Sequence, residues 1–248
     1  LFPHKEALAY KIDNTGSTMD EARRLSAESK YGLIMADRQY GGRGRLPGRH
    51  WLSEAAESLL ATYWFPAECF GMAPLPMITA LAAVRALKAW ASNQSIDFSE
   101  SLKLKWPNDV LLDNGKLAGI LCEASGKTIY AGIGLNCKQS RFYGNYRSKP
   151  ASIMTFTGKT LEPYELAGLL SAAFIELEND PSDWLNEYKK LLAWKGKKIT
   201  FRPGLEEKRI SAFLIGIDNH GQLLLADNAN GEGAKCFPSG ELSILIDD

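Results

Sequence analysis

The dipeptide Asn114-Gly115 constrains the fold of this chain more than any other feature. Both central positions of a two-residue hairpin turn need positive φ, which Asn and Gly tolerate. Apolar, β-rich runs flank it at 110–113 and 116–123. The pair therefore predicts an antiparallel hairpin. Neighbouring runs at 102–106 and 128–137, the second entered from a Ser125-Gly126 turn, extend the hairpin into a sheet. Further strands are predicted at 32–39 and 58–65. Helices are predicted at 77–90, 163–179 and 181–194, the last two with proline in the first turn. Thr18 with Glu21 three residues on fits a capping box for a helix reaching about Ser29. Helices flanking hairpin-joined strands, without regular βαβ alternation, predict an α+β fold with a mostly antiparallel sheet.

Beyond Lys195 the helical signal stops. Short strands at 197–202, 208–217, 222–226, 234–237 and 242–246 alternate with Gly, Asn and Asp turns. That spacing predicts a small β-barrel of roughly 50 residues, too small to be stable unless docked on a larger unit. The chain thus divides into 1–194 and 195–248.

Composition narrows the function classes. Hydrophobic residues are 45% and charged residues 23%, which excludes a disordered chain. Lys+Arg and Asp+Glu number 29 each, so a broad phosphate-tracking surface for nucleic acid is not expected. The most apolar stretch, 74–91, is broken by Arg85 and Lys88, and the N-terminus has no signal-peptide pattern, so neither a membrane span nor secretion is expected. Cys69, Cys122, Cys137 and Cys236 form no C-x-x-C pair, and His4, His50 and His220 are scattered. Reduced thiols, no metal cage and a cytoplasmic location follow as expectations.

Three segments concentrate the chemistry. In Gly41-Gly42-Arg43-Gly44-Arg45-Leu46-Pro47-Gly48-Arg49-His50-Trp51, glycines let the backbone approach a ligand and three arginines supply fork-shaped donors for phosphate or carboxylate. A flexible surface loop or an RNA-binding Gly-Arg tract would have the same composition. Lys105-Trp106-Pro107-Asn108-Asp109, followed by Lys116-Leu117-Ala118-Gly119-Ile120-Leu121, sets Asn108 and Asp109 at a strand edge, where they can orient a metal or ribose, with Lys116 across the hairpin. An amine there can stabilise charge developing on phosphorus, or can simply pair with a surface carboxylate. The alternating glycines of Ala131-Gly132-Ile133-Gly134-Leu135-Asn136 mark close approach by a ligand or by another backbone.

Taken together with Ser17-Thr18 and Gln39, these segments resemble the biotin protein ligases, in order and in spacing. The resemblance runs from about Ser17 to the C-terminus, where Gly240-Glu241-Leu242-Ser243 resembles the family's final barrel strand. It implies a class-II-synthetase-like domain with an SH3-like C-terminal barrel. It also implies a two-step reaction: biotin and MgATP give biotinyl-5′-AMP and pyrophosphate, then a lysine of a biotin carboxyl carrier protein takes the biotin. By position, Ser17, Thr18, Gln39, Gly42, Arg43 and Gly119 would hold biotin, and Lys116 would bridge the biotin carboxylate and the α-phosphate. Arg45 would join Lys116 in catalysis and, with Arg49, hold the phosphates. Trp51, Asn108, Asp109 and Asn136 would serve the nucleotide, with magnesium near Asp109, and one of Phe142, Tyr143 and Tyr146 would meet adenine.

The chain departs from the family pattern twice. Leu46-Pro47 adds a residue to the arginine loop, and Leu245 stands where some members carry a basic residue. About sixteen residues precede Ser17, too few for the helix-turn-helix domain of bifunctional members, so a monofunctional ligase is expected. The alternatives are a lipoate or octanoate ligase or transferase and a non-catalytic biotin-binding module. Monomer and homodimer both remain open at this level.

Overall fold

The computed structural model describes residues 7–143, 146, 148–180, 182–204 and 209–244. Pro181 and Leu245 lie outside the described residues. In chain order the elements are β1 (Leu8–Thr15), α1 (Thr18–Leu25), β2 (Gly32–Gln39), β3 (Ser58–Pro66), α2 (Leu75–Ser92), β4 (Leu102–Lys105), β5 (Asp109–Leu112), β6 (Gly115–Ser125) and β7 (Thr128–Asn136). There follow α3 (Ile153–Thr157), α4 (Pro163–Asn179), α5 (Trp184–Leu191), β8 (Lys198–Pro203), β9 (Ile210–Ile217), β10 (Leu223–Ala226), β11 (Lys235–Phe237) and β12 (Gly240–Ile244).

The hairpin turn lies one residue earlier than the sequence signal suggests. Asp113 and Asn114 take positive φ (48° and 60°), and Leu112 pairs with Gly115 across the turn. Asp tolerates the left-handed region almost as Asn does, so Gly115 is free to begin the strand. A β-bulge follows, in which Leu111 pairs with Lys116 but Val110 with Ala118. Leu117 and Ala118 in succession therefore face the core. Lys116 and Gly119, three apart, return to the same opposite side.

β1 to β7 form one sheet in the order β1-β2-β3-β7-β6-β5-β4. All neighbouring pairs are antiparallel except β1 with β2, so the sheet is mixed. The parallel pair arises because α1 crosses between the two strands. β1 itself was not expected, although Leu8, Tyr10 and Ile12 carry its period-two signal and pack on the sheet. α2 and α4 cover one face in a continuous core containing Tyr63, Leu81, Leu87 and Phe174. α1 covers part of the other face through Met19, Ala22 and Leu25 on Trp64 and Tyr130.

α1 is capped by Ser17, whose side chain accepts from Met19 N at 3.3 Å, rather than by a Thr18/Glu21 box. The shift frees the Thr18 hydroxyl for other partners, and the helix ends at Leu25. Among the described residues β8 to β12 form an open antiparallel sheet in the order β11-β10-β9-β8-β12, where a closed barrel was expected. Among the described residues β11, of three residues, pairs with β10 alone, and β12 pairs with β8 alone. Ile199, Phe201, Leu214 and Leu242 of this second sheet belong to the same core as α2. Trp106 joins the two parts: its buried indole N–H donates to Gly221 O at 2.9 Å.

Candidate active site

The glycine- and arginine-rich segment is a short hairpin, not the irregular loop that its composition predicts. Trp51 N donates to Gly42 O (3.1 Å), Arg43 and His50 form a bridge, and Gly44 N donates to Arg49 O (2.8 Å). At the tip, Arg49 N donates to Leu46 O (3.2 Å) around Pro47 and Gly48, the latter at φ 73°. Proline followed by a left-handed glycine is the pairing that a type II turn requires. The extra residue of this chain thus completes a turn. A Cβ on Gly44 would come within 2.7 Å of Arg49 Cβ, and one on Gly42 within 3.1 Å of Trp51 O, so the hairpin packs tightly at both glycines.

Each arginine of the hairpin has an anchor. Arg43 makes a fork to Asp20 (2.9 and 2.7 Å), which holds the Asp20 carboxyl below the usual carboxylate range. Arg45 donates to Gly240 O at 2.5 Å, and burial lowers its pKa against the opposing pull of Asp109 and Glu241. Arg49 donates to Glu241 at 2.7 Å.

Between this hairpin, the N-terminus of α1 and the sheet face lies a cavity of about 190 Å³. One water takes up about 30 Å³ of liquid, so this is space for a ligand. The predicted site residues line it except Asn136 and the three aromatic candidates Phe142, Tyr143 and Tyr146. One end is neutral and rich in hydrogen-bonding groups. Gln39 Oε1 accepts from the Thr18 backbone N (2.7 Å) and hydroxyl (3.1 Å), and that hydroxyl also meets Thr62 Oγ1 at 2.9 Å. The Gln39 amide nitrogen has no partner among the described residues. Ser17 and Gly132 complete this end.

The other end is cationic. Lys116 Nζ lies 2.8 Å from Asp109 Oδ1, and Lys105 Nζ lies 3.6 Å from Oδ2. Both oxygens of this buried carboxylate thus face lysines, an arrangement that fixes the direction of the Lys116 amine. Asn108 is likewise engaged, donating to Ile120 O at 2.8 Å. Among the described residues no group of three His, Cys, Asp or Glu side chains could hold a metal.

Asn136 sits behind the site. Its amide donates to Ala151 O (2.8 Å) and accepts from Ser58 and Gln139, so it ties β7 to the segment before α3. Phe142 and Tyr146 pack edge to face with centroids 6.0 Å apart, and neither they nor Tyr143 lines the cavity. Trp51 lies on the glycine floor: a Cβ on Gly134 would come within 2.5 Å of its indole, and one on Gly119 within 3.0 Å. The indole nitrogen is buried with no partner among the described residues, a donor placed at a ligand cavity. Asp20 and Thr62 carry no motif signal, and Lys105 and Glu241 stand within motifs that assign them no role. Their roles depend on contacts between segments that motif spacing does not encode.

A mixed sheet with a glycine floor, an arginine hairpin and a lysine–aspartate pair defines the class to which this chain belongs, the biotin/lipoate A/B protein ligase family, whose sequence model matches residues 8–140. Among relatives, the biotin--[acetyl-CoA-carboxylase] ligase of Paracoccus denitrificans is 31% identical, over 93% of this chain and 98% of its own length. The bifunctional ligase/repressor BirA of Escherichia coli is 29% identical, over 94% of this chain and 72% of its own. The biotin protein ligase from Aquifex aeolicus, solved in complex with biotin and ATP, shares the fold with a TM-score of 0.77 at 24% identity, covering 97% of this chain and 98% of that one.

Proposed function

We propose that this protein is a biotin–[biotin carboxyl-carrier protein] ligase. It activates biotin with MgATP to biotinyl-5′-AMP, releases pyrophosphate and passes the biotin to a lysine of a carboxylase carrier domain. The observation that carries the reading is the polarity of the cavity, neutral donors and acceptors at one end and cations at the other. A ligand with an uncharged hydrogen-bonding ring and a carboxylate fits that order, and the Paracoccus relative supports biotin as its identity.

In the first step a carboxylate oxygen bonds to the α-phosphorus and the bond to the bridging oxygen of pyrophosphate breaks. Both reactants are anionic, so juxtaposing them needs cations more than a general base. Lys116, held by Asp109, stands where the carboxylate and α-phosphate meet, and Arg45 and Arg49 hold the phosphate chain. Magnesium arrives with the nucleotide as part of the MgATP substrate. In the second step the amine of the acceptor lysine attacks the anhydride carbonyl and AMP leaves. The Arg43–Asp20 fork and the Trp51 indole keep the hairpin over the adenylate until then. Ser17, Thr18, Gln39, Gly42 and Gly119 bind biotin, while Trp51 and Asn108 serve the nucleotide.

Residues 195–248 are read as a distinct SH3-like unit docked on the catalytic part, and the change from helices to short antiparallel strands at β8 supports that boundary. A cytoplasmic setting is supported by the unpaired state of all four cysteines. The test is pyrophosphate release from MgATP with biotin, lipoate or octanoate as sole acid. Release with biotin and subsequent labelling of a carrier domain is expected; release with lipoate or octanoate alone would reassign the substrate. Lys116→Met should lower the biotin-dependent rate by about 100-fold or more, the scale of losing a preorganised charge at the reacting centre.

A further inference from the structure

The second sheet contributes more to the cavity than a backbone anchor. Glu241 on β12 and Arg202 on β8 are directly opposite in the register of their two strands. Side chains of such a pair rise from the same face with Cβ atoms about 5 Å apart. Arg202 Nη2 donates to Glu241 Oε2 at 3.1 Å, while Oε1 accepts from Arg49 Nη2 at 2.7 Å. One carboxylate thus stands between two guanidinium groups, and Gly240, the residue before it, holds Arg45. All three side chains of the triad are about two-thirds buried, and Arg202 Nε is fully buried with no partner among the described residues.

We propose that Arg202 is a positioning residue for nucleotide binding, acting through Glu241 to set Arg49 at the phosphate end of the cavity. The inference rests on the ligase reading given above. A carboxylate bonded by a single arginine neutralises it and competes with phosphate for it. Shared between two, the same carboxylate fixes the direction of Arg49 while leaving the triad with a net positive charge. Arg49 spends one of its nitrogens on Glu241 and keeps the others for the phosphate chain. Arg202 also locks the Glu241 rotamer, so Arg49 is presented in one direction before any nucleotide arrives.

The readout is binding of magnesium with α,β-methylene-ATP, which cannot be cleaved at the α-phosphate, measured by calorimetry on the full chain. Arg202→Met should weaken that binding about tenfold, the loss of roughly one charge-assisted contact, with biotin binding unchanged within about twofold. Arg202→Lys should recover part of the loss, because it returns the charge without the fork. Adding Glu241→Gln to Arg202→Met should also recover part of it, because the negative charge that competes with phosphate for Arg49 is then gone. A merely structural Arg202 predicts a lower melting temperature, weaker binding of both ligands and no rescue by Glu241→Gln, and that pattern overturns the proposal. Equal nucleotide binding by wild type and Arg202→Met, or no binding by either, also overturns it. Absence of biotin-dependent pyrophosphate release from a wild type that binds the analogue would sink the ligase reading instead.

Discussion

Gly134 offers the sharpest test of how the cavity floor is built. It lies on the central strand β7, between Leu60 of β3 and Gly119 of β6, and a Cβ there would sit 2.5, 2.6 and 2.8 Å from Trp51 Cε2, Cδ2 and Nε1. Carbon atoms in contact rest about 3.5–4.0 Å apart, so the indole of a Gly134→Ala variant must rise by about 1 Å. The ring cannot do so freely, because Trp51 N is bonded to Gly42 O and the hairpin is bridged at Arg43 and His50. Overpacking of this kind costs about 1–3 kcal/mol. Gly134 does not take positive φ, so alanine also returns about 0.4–1 kcal/mol by restricting the unfolded chain. The net loss is about 1–2 kcal/mol, which for a chain of this size lowers the melting temperature by about 2–8 °C. Scanning calorimetry on Gly134→Ala, alone and with Trp51→Ala, measures it. Without the indole the methyl has room, and Gly134→Ala should become neutral or slightly stabilising in that background. An equal loss in both backgrounds would refute the steric argument.

Other outcomes follow from local chemistry. Burial pushes the Cys122 and Cys137 thiols up to about 12 and the half-buried Cys69 up to about 11, whereas Cys236 is exposed. With a thiol-reactive dye near neutral pH, Cys236 should react fast, the partly buried Cys69 and Cys122 slowly, and Cys137 only on unfolding; fast labelling of Cys137 would contradict the packing. The Asp20 carboxyl is held below its ordinary range by Arg43, so its contribution to stability is present above that range and is lost as the pH falls through the lowered value. The melting temperature of the wild type should exceed that of Asp20→Asn at neutral pH, and the gap should close on acidification; a gap that widens would be inconsistent. Gly48 holds φ 73° at the hairpin tip, where alanine costs about 1 kcal/mol. Gly48→Ala should therefore speed tryptic cleavage after Arg45 or Arg49 several-fold, and unchanged cleavage would mean that the turn is not formed in solution.

Much of the fold is legible in the sequence because strands and turns announce themselves locally. β2 and α4 fall at their predicted limits, and β3, β6 and β7 within a few residues of theirs, since alternating or continuous apolar runs bounded by Gly and Pro leave little choice. The failures have separate causes. The arginine hairpin was unreadable because its regularity comes from three arginines tied to Asp20, Gly240 and Glu241, partners up to 195 residues away. β1 is legible in retrospect, since Leu8, Tyr10 and Ile12 alternate with exposed Lys11 and Asp13 as in an edge strand with one wet face. The turn at Asp113-Asn114 and the bulge after it show how a one-residue offset reverses which side chains face the cavity. Of the predicted site residues, Asn136 has a partner set that only the assembled chain reveals, a buried knot with Ser58, Gln139 and Ala151.

The bond from Trp106 to Gly221 bears on how such chains can be recombined. The indole belongs to the same short segment as Asn108 and Asp109, and the carbonyl it reaches lies at a turn where φ is 76° and where Pro74 and Met77 leave no room for a Cβ. Splitting a donor from its acceptor here would strand a buried N–H, at about 1–3 kcal/mol. A crossover at 194/195 appears clean by element boundaries, yet it separates these two halves of one contact. Chimeras between relatives should therefore carry 104–110 and 218–223 from the same parent, so that the buried donor keeps the acceptor it packs against.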